Sequence, residues 1–470
     1  MSRSTSVCLL VASLLLACAT PPPAVTRPES VADASAPVTA PPPEEVRAWL
    51  AKAAVPLKTV EAGHGFEDLR PLAPWLSRAR VVALGEATHG TREFFQLKHR
   101  MVEYLVTEQG YTVFGLEADF AEALALDDYI LTGEGDAARA LAGLDLWPWD
   151  TEEVLALIHW MRSYNADPKH PRKLRLHGFD MQHTGGAARG LLAYLQKVDA
   201  PYAQGVAARL TELTDNTLAH QYARTPERLQ PYLAMLAEVR ARLDSERRAY
   251  ERDSSPYEWA IASHERHLLT YLLEATPQLV LTLEEGINVR DAMMADNVRW
   301  IQEQEGPGAK LMLWAHNDHV NMRPLEVPGT KPLGQLLRER LGDAVFVFGL
   351  AFNQGAFQAI ELTPRGKPSR GLIEHTVPPA PEGTLDAVLA SAGLPLYALN
   401  LRGAPRDGAV GAFLKERRES RQIGSHYRDG MKRVPVRMAE LFDGILFVDK
   451  THAAVANSSS KPPPAVKSTP

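Results

Sequence analysis

The stretch Val81-Val82-Ala83-Leu84-Gly85-Glu86-Ala87-Thr88-His89-Gly90-Thr91-Arg92-Glu93-Phe94-Phe95-Gln96-Leu97-Lys98 changes its hydrophobic period as it runs. Val81 to Leu84 is apolar without alternation, as in a strand covered on both faces. From Phe94, apolar residues recur at Leu97, Met101 and Leu105, with Phe95, Val102 and Val106 widening the stripe, which is helical spacing. Tyr111 to Leu116 then repeats the strand pattern. Strand, helix and strand in this order make a crossover unit, so the sheet is expected to be parallel at its centre.

Further strands are expected at Leu174 to Phe179, Leu311 to Ala315, Val345 to Ala351 and Ile445 to Val448. Arg175 and His177 make the first of these alternate, which suits a place nearer the sheet edge. Residues 204–276 carry charged amphipathic segments around Leu210, Leu229, Leu236 and Leu268, and read as a helical insertion over or beside the cleft at the strand ends. The expected fold class is therefore α/β, with a central mainly parallel sheet, flanking helices and that insertion.

The 470 residues hold 51 Lys plus Arg against 57 Asp plus Glu, so no global positive field favours nucleic acid as a partner. Both cysteines, Cys8 and Cys18, lie near the start, which removes thiolate chemistry and disulfides from the body. Arg3 followed by the apolar run Val7 to Ala17 has the length of a signal peptide, expected over residues 1–17. Leu15-Leu16-Ala17-Cys18 resembles the lipobox of bacterial lipoproteins, with Cys18 as the acylated residue. Ala19 rather than Asp after it resembles the rule for outer-membrane delivery, facing the periplasm. Residues 18–43 read as a Pro-rich tether, 44–450 as the folded body and 451–470 as a disordered tail. Oligomeric state is not written in this pattern.

Ionisable residues fall at the ends of the expected strands: Glu86, Glu117, Asp180 and His316. The carboxyl ends of parallel strands form the ligand crevice of an open sheet, so these residues share one mouth. Each acid taken singly is equally a helix cap. His89, three residues past Glu86, suits a general base oriented by a carboxylate, or a turn-closing residue. His316-Asn317-Asp318-His319 suits a proton shuttle, a carbonyl-orienting pair or a metal site. There is no Gly-x-Ser-x-Gly elbow, no His-Glu-x-x-His helix and no phosphate loop, which leaves attack by activated water. In Gly424-Ser425-His426-Tyr427-Arg428, His426 and Arg428 are candidates for contact with substrate oxygen. Trp147 and Trp149 flank Pro148 and read as core anchors or as ligand contacts, without assignment.

Six motifs in order resemble the erythromycin esterase family. They are Gly85-Glu86-x-x-His89 with its aromatic-rich helix, Phe114-Gly115-Leu116-Glu117, Gly178-Phe179-Asp180-Met181-Gln182, Arg290-Asp291-x-Met293-Met294-Ala295-x-Asn297, Ala315-His316-Asn317-x-His319-Val320 and Gly424-Ser425-His426-Tyr427-Arg428. The resemblance implies hydrolysis of a small-molecule ester or macrolide-type lactone, and the leading reading of the residues uses no cofactor or metal. His89 would be the base, supported by Glu86 and Glu117, with His316 or His319 polarising the carbonyl and protonating the leaving group. Lys98 stands where the family often has a functional Arg, keeping the charge but losing the two-pronged geometry. Lys98, Arg290, Asp180 and Asn297 would bind substrate. Two other readings stay open on the residues alone: a metal-dependent hydrolase using the same cleft, and a non-catalytic ligand-binding lipoprotein of the envelope.

Overall fold

A computed structural model describes residues 36–281, 283–325, 329–364, 366–431 and 433–457. Cys18, the signal segment, most of the Pro-rich stretch and residues 458–470 lie outside the described residues. No helix among those described is long and apolar enough to cross a membrane.

Ten strands form one sheet: β1 (Val55–Pro56), β2 (Val81–Leu84), β3 (Val113–Asp119), β4 (Arg175–Asp180), β5 (Leu311–Trp314), β6 (Val345–Leu362), β7 (Pro368–Val377), β8 (Leu396–Asn400), β10 (His426–Tyr427) and β12 (Gly444–Thr451). β9 (Arg418–Ser420) and β11 (Val434–Val436) pair separately. The order across the sheet is β1-β8-β12-β6-β2-β5-β3-β4, with β7 and β10 added to β6. The six strands from β12 to β4 run parallel, β8 pairs antiparallel with β12, and β1 pairs antiparallel with β8. β4 lies at the edge, as its alternation predicts, and its His177 ring bonds Glu305 at 3.0 Å.

Alternate residues of the central strands enter two cores. Val82, Leu84, Phe114, Met312, Trp314 and Phe346 meet the helix Arg92–Gln109 through Phe94, Phe95, Leu97 and Met101. Val81, Ala83, Leu311, Leu313 and Val345 face the other way, onto Met294, Val298 and Ile301 of the helix Leu283–Glu305. Both faces are dry, which is why these strands read as unbroken apolar runs.

The helical layer has its own core and begins earlier than its charged composition suggests. The helix Gly185–Val198 contributes Ala187, Ala188, Leu191 and Leu195 to it, and the layer closes with the long helix Pro256–Leu281. It docks beside the β4 end of the sheet, where Leu268 and Leu272 pack on Phe120, Met181 and Met293.

Two boundaries differ from the composition reading. The chain stays bound past Lys450: Ala453 bridges Thr91, Ala456 bridges Thr151, and the Asn457 amide donates to Asp150 at 3.1 Å. The polar, small-residue sequence hides this because backbone pairing, not apolar burial, holds the segment. β6 likewise runs eleven residues past Ala351 to Leu362, since its second half turns outward to pair with β7.

Candidate active site

β2 delivers its loop through two glycines chosen for space. A Cβ on Gly85 would lie 2.2 Å from Asn317 Oδ1, and one on Gly90 would lie 2.1 Å from the Gln358 carbonyl oxygen. Neither needs a positive φ. The loop carries Glu86 into full burial, where its carboxylate meets three donors. Oε1 lies 2.7 Å from His89 Nδ1, while Oε2 accepts from Lys98 Nζ at 2.6 Å and Trp314 Nε1 at 3.0 Å. Burial opposes ionisation of Glu86, but Lys98 and His89 outweigh it and hold the carboxyl below its usual range. Burial brings Lys98 down to about 8 against the pull of Glu86. A carboxylate only accepts, so His89 Nδ1 carries the proton and a neutral ring keeps its lone pair on Nε2.

Glu117, in β3, organises the opposite wall. Its Oε2 accepts the His316 backbone N–H at 2.8 Å, and its Oε1 lies 3.0 Å from Arg290 Nη2 and 3.2 Å from His319 Nε2. Burial again opposes the charge, yet His319 and other cations hold Glu117 well below the ordinary carboxylate range. Arg290 closes a two-pronged contact on Asp180, with Nε 3.1 Å from Oδ1 and Nη2 2.6 Å from Oδ2. His319 is held at both nitrogens, since Nδ1 lies 2.9 Å from Asp291 Oδ1. Burial lowers its pKa, but Asp291 and Glu117 push it up to about 10, so the ring is a fixed cation at neutral pH.

His316 is held differently. Its ring centroid is 4.9 Å from that of His89, and Nδ1 faces Asp318, 3.2 Å from the backbone nitrogen and 3.4 Å from Oδ2. Nε2 is buried without a partner. If Nδ1 accepts from the Asp318 N–H, the neutral ring has its proton on Nε2; if the ring is protonated, both nitrogens carry one. Nε2 is therefore a donor in either state. Burial disfavours the cation, and Asp318 raises the His316 pKa overall.

The fold thus gathers Glu86, His89, Glu117, Asp180, Arg290, His316 and His319 from four strand ends and one helix. His426 comes near: His89 N–H donates to the Gly424 carbonyl at 3.3 Å, and His426 pairs Nδ1 with Ser425 Oγ at 2.8 Å while its Nε2 is buried without a partner. Three residues expected to touch substrate are placed otherwise. Lys98 is fully buried behind Glu86. Asn297 is also buried, donating Nδ2–H to the Phe179 carbonyl at 3.1 Å and accepting at Oδ1 from His264 Nε2 at 2.9 Å, so it fastens the helix to β4. Arg428 is partly exposed and shares no hydrogen bond or ion pair with the cluster among the described residues.

Sequence reasoning did not assign Asp291, Asp318 or Trp314 to the site. Asp291 stands beside Arg290 in a recognised motif, but Trp314 sits inside an apolar strand where nothing separates it from core. Trp149 serves as an anchor: it is buried, donates Nε1–H to the Glu117 carbonyl at 2.7 Å and sets its ring edge-on to His89 at 5.7 Å.

A family model described as erythromycin esterase matches residues 106–451. The Bacillus subtilis protein YbfO is 26% identical over 404 residues, covering 78% of this chain and 86% of that one. An Escherichia coli erythromycin esterase type II is 23% identical over 434 residues, covering 86% of this chain and 97% of its own. A crystal structure titled as a succinoglycan biosynthesis protein superposes with a TM-score of 0.75 at 27% identity, over 88% of this chain and 98% of that chain. With the family model covering all but the first strand loop of the cluster just described, the chain belongs to the erythromycin esterase family.

Proposed function

We propose that this protein hydrolyses a carboxylic ester or lactone, with water activated by His89. The observation that carries the reading is the complementary state of two neighbouring imidazoles. With Nδ1 on the Glu86 carboxylate, a neutral His89 ring has Nε2 as its acceptor, and His316 Nε2 is buried without a partner, on rings 4.9 Å apart.

A water oxygen attacks the carbonyl carbon as His89 Nε2 takes the water proton, and Glu86 stabilises the resulting imidazolium. The carbonyl π pair moves onto oxygen, where His316 Nε2–H receives it as a hydrogen-bond donor placed in advance. Collapse of the tetrahedral intermediate breaks the ester C–O bond, and the His89 imidazolium returns its proton to the departing alkoxide. The products are a carboxylic acid and an alcohol, joined in one molecule when the substrate is a lactone. In this reading His319 takes no proton-transfer role, unlike the expectation that paired it with His316, since both of its nitrogens face carboxylates. It fixes Glu117, which in turn fixes the His316 backbone. The Escherichia coli relatives named for erythromycin make macrocyclic lactones the first substrates to test.

The whole protein is incubated with macrocyclic lactones and simple esters, with and without a chelator, and products are read by mass for addition of one water. Wild type is expected to add it, and folded His89→Ala to lose on the order of a thousandfold in rate, the usual scale of a general base. Normal turnover by His89→Ala would sink the assignment.

A further inference from the structure

A second imidazole is oriented by a carboxylate at the same edge of the sheet. Asp119 lies two residues past Glu117 on β3 and is in register with Asp180 on β4. His183 follows Asp180 by three residues. Asp119 is 1% exposed and divides its oxygens between the loop and the ring: Oδ1 accepts the Gln182 backbone N–H, and Oδ2 lies 2.6 Å from His183 Nδ1. The His183 side chain is 18% exposed. Its Nδ1 faces a buried carboxylate, so the edge that reaches solvent is the opposite one, bearing Nε2.

The surroundings fit a prepared position. Gly186 and Gly190 lie one helical turn apart, and a Cβ at either would fall 2.4 Å or less from a carboxyl oxygen, of Glu122 and of Glu265 respectively. Two acids are thereby packed behind the dyad, and Glu122 Oε2 is buried without a partner. The groups acting on His183 are Asp119 from β3, Glu122 from the helix Phe120–Thr132 and Asp145 from the loop leading to Trp149. His220 Nδ1, on the insertion, is buried without a partner and feels the His183 charge. Arg189 stands 3.5 Å from Glu122. The loop from Asp145 to Trp149 adds the Asp145 charge to the field on His183 and sets Trp149 edge-on to the His89 ring.

Resting on the ester-hydrolase reading, we propose that His183 is a substrate-positioning residue whose outward Nε2–H receives an oxygen of the substrate away from the bond that breaks. The substrates favoured are thus esters bearing a second oxygen function, a hydroxyl, carbonyl or carboxylate, rather than plain hydrocarbon esters. The donor form is the cation. Burial lowers the His183 pKa, but Asp119 and the neighbouring acids raise it to about 9, so the donor persists through neutral pH and is lost above that value.

The test uses the whole protein and two para-nitrophenyl esters of equal chain length, the hexanoate and the monoester of adipic acid. His183→Gln is expected to shift the ratio of their KM values about tenfold against the adipate ester, the scale of one charge-assisted hydrogen bond. In wild type the same ratio should move as pH rises through about 9. Asp119→Asn should bring that pH down toward the ordinary imidazole range, a displacement that a purely structural pair would not produce. An unchanged ratio in His183→Gln, or equal loss on both esters, overturns the proposal. If neither ester is cleaved, the hydrolase reading is still judged on the lactones, and calorimetry with free adipate decides the role of His183: weaker binding to His183→Gln than to wild type supports the donor role, and equal or absent binding refutes it.

Discussion

His319 links acid–base chemistry to folding stability, because a cation held between Asp291 and Glu117 is worth most while all three are charged. Its pKa is raised from the ordinary imidazole value to about 10, so its contribution is full below about 6.5 and fades as pH rises through 10. Glu86 and Glu117 are depressed, so their contribution is full above the ordinary carboxylate range and is lost on acidification. Thermal melting against pH should therefore fall on both sides of a neutral plateau. His319→Gln should flatten the alkaline limb and, by taking the leading cation away from Glu117, shrink the acid limb as well, and an unaltered alkaline limb would show that this ring is not its source. At this scale the sequence was readable where side-chain type alone implies chemistry. That His89, Glu86, Glu117 and His316 would meet in one cluster followed from their places at strand ends. The distinction between His316 and His319 was not, since it lies in which nitrogen meets which carboxylate.

At the scale of the element, the exit of β2 is the tightest constraint on the site. Gly85 passes between Asn317 and the Phe348 carbonyl of β6, so the loops after β2 and β5 interlock against β6. Gly85→Ala forces a Cβ into the Asn317 amide oxygen and should cost about 1–3 kcal/mol, the range for overpacking a close-packed site. Denaturant unfolding would read that loss, and a rate loss larger than the stability loss would place the strain on Glu86 and His89. Unchanged stability and turnover would mean that the loops yield freely. The central strands were legible because burial on both faces leaves an unbroken apolar run. β7, β8 and the outer half of β6 were not, because short or half-exposed strands carry a weaker pattern and are fixed by their partners. Amphipathic spacing also disclosed the helical layer without its starting helix, where Gly185, Gly186 and Gly190 dilute the apolar stripe.

Across the whole molecule, residues 452–457 return to the loop that carries His89. His452 donates its backbone N–H to Glu93 at 2.7 Å, Ala454 N–H donates to the Gly90 carbonyl at 3.0 Å, and Asn457 reaches Asp150 beside Trp149. A chain ended at Lys450 should melt a few degrees below one ended at Asn457 and turn over more slowly, as expected when several backbone bonds are removed from a marginally stable domain. Equal melting and equal rates would show that the segment is ornamental. Nothing in its composition announced this role, since pairing partners seldom leave a mark on small polar residues. The sheet order has one more effect, on how the molecule comes into being. β2 has neighbours only in β5 and β6, which begin at Leu311 and Val345. During synthesis β2 emerges with its hydrogen-bonding edges open and waits through the entire helical layer for company, a long interval in which an unpaired apolar strand invites aggregation. A ribosome stalled before Leu311 would display the loop of His89 with no cleft around it, so catalytic competence arrives late and all at once rather than accumulating along the chain.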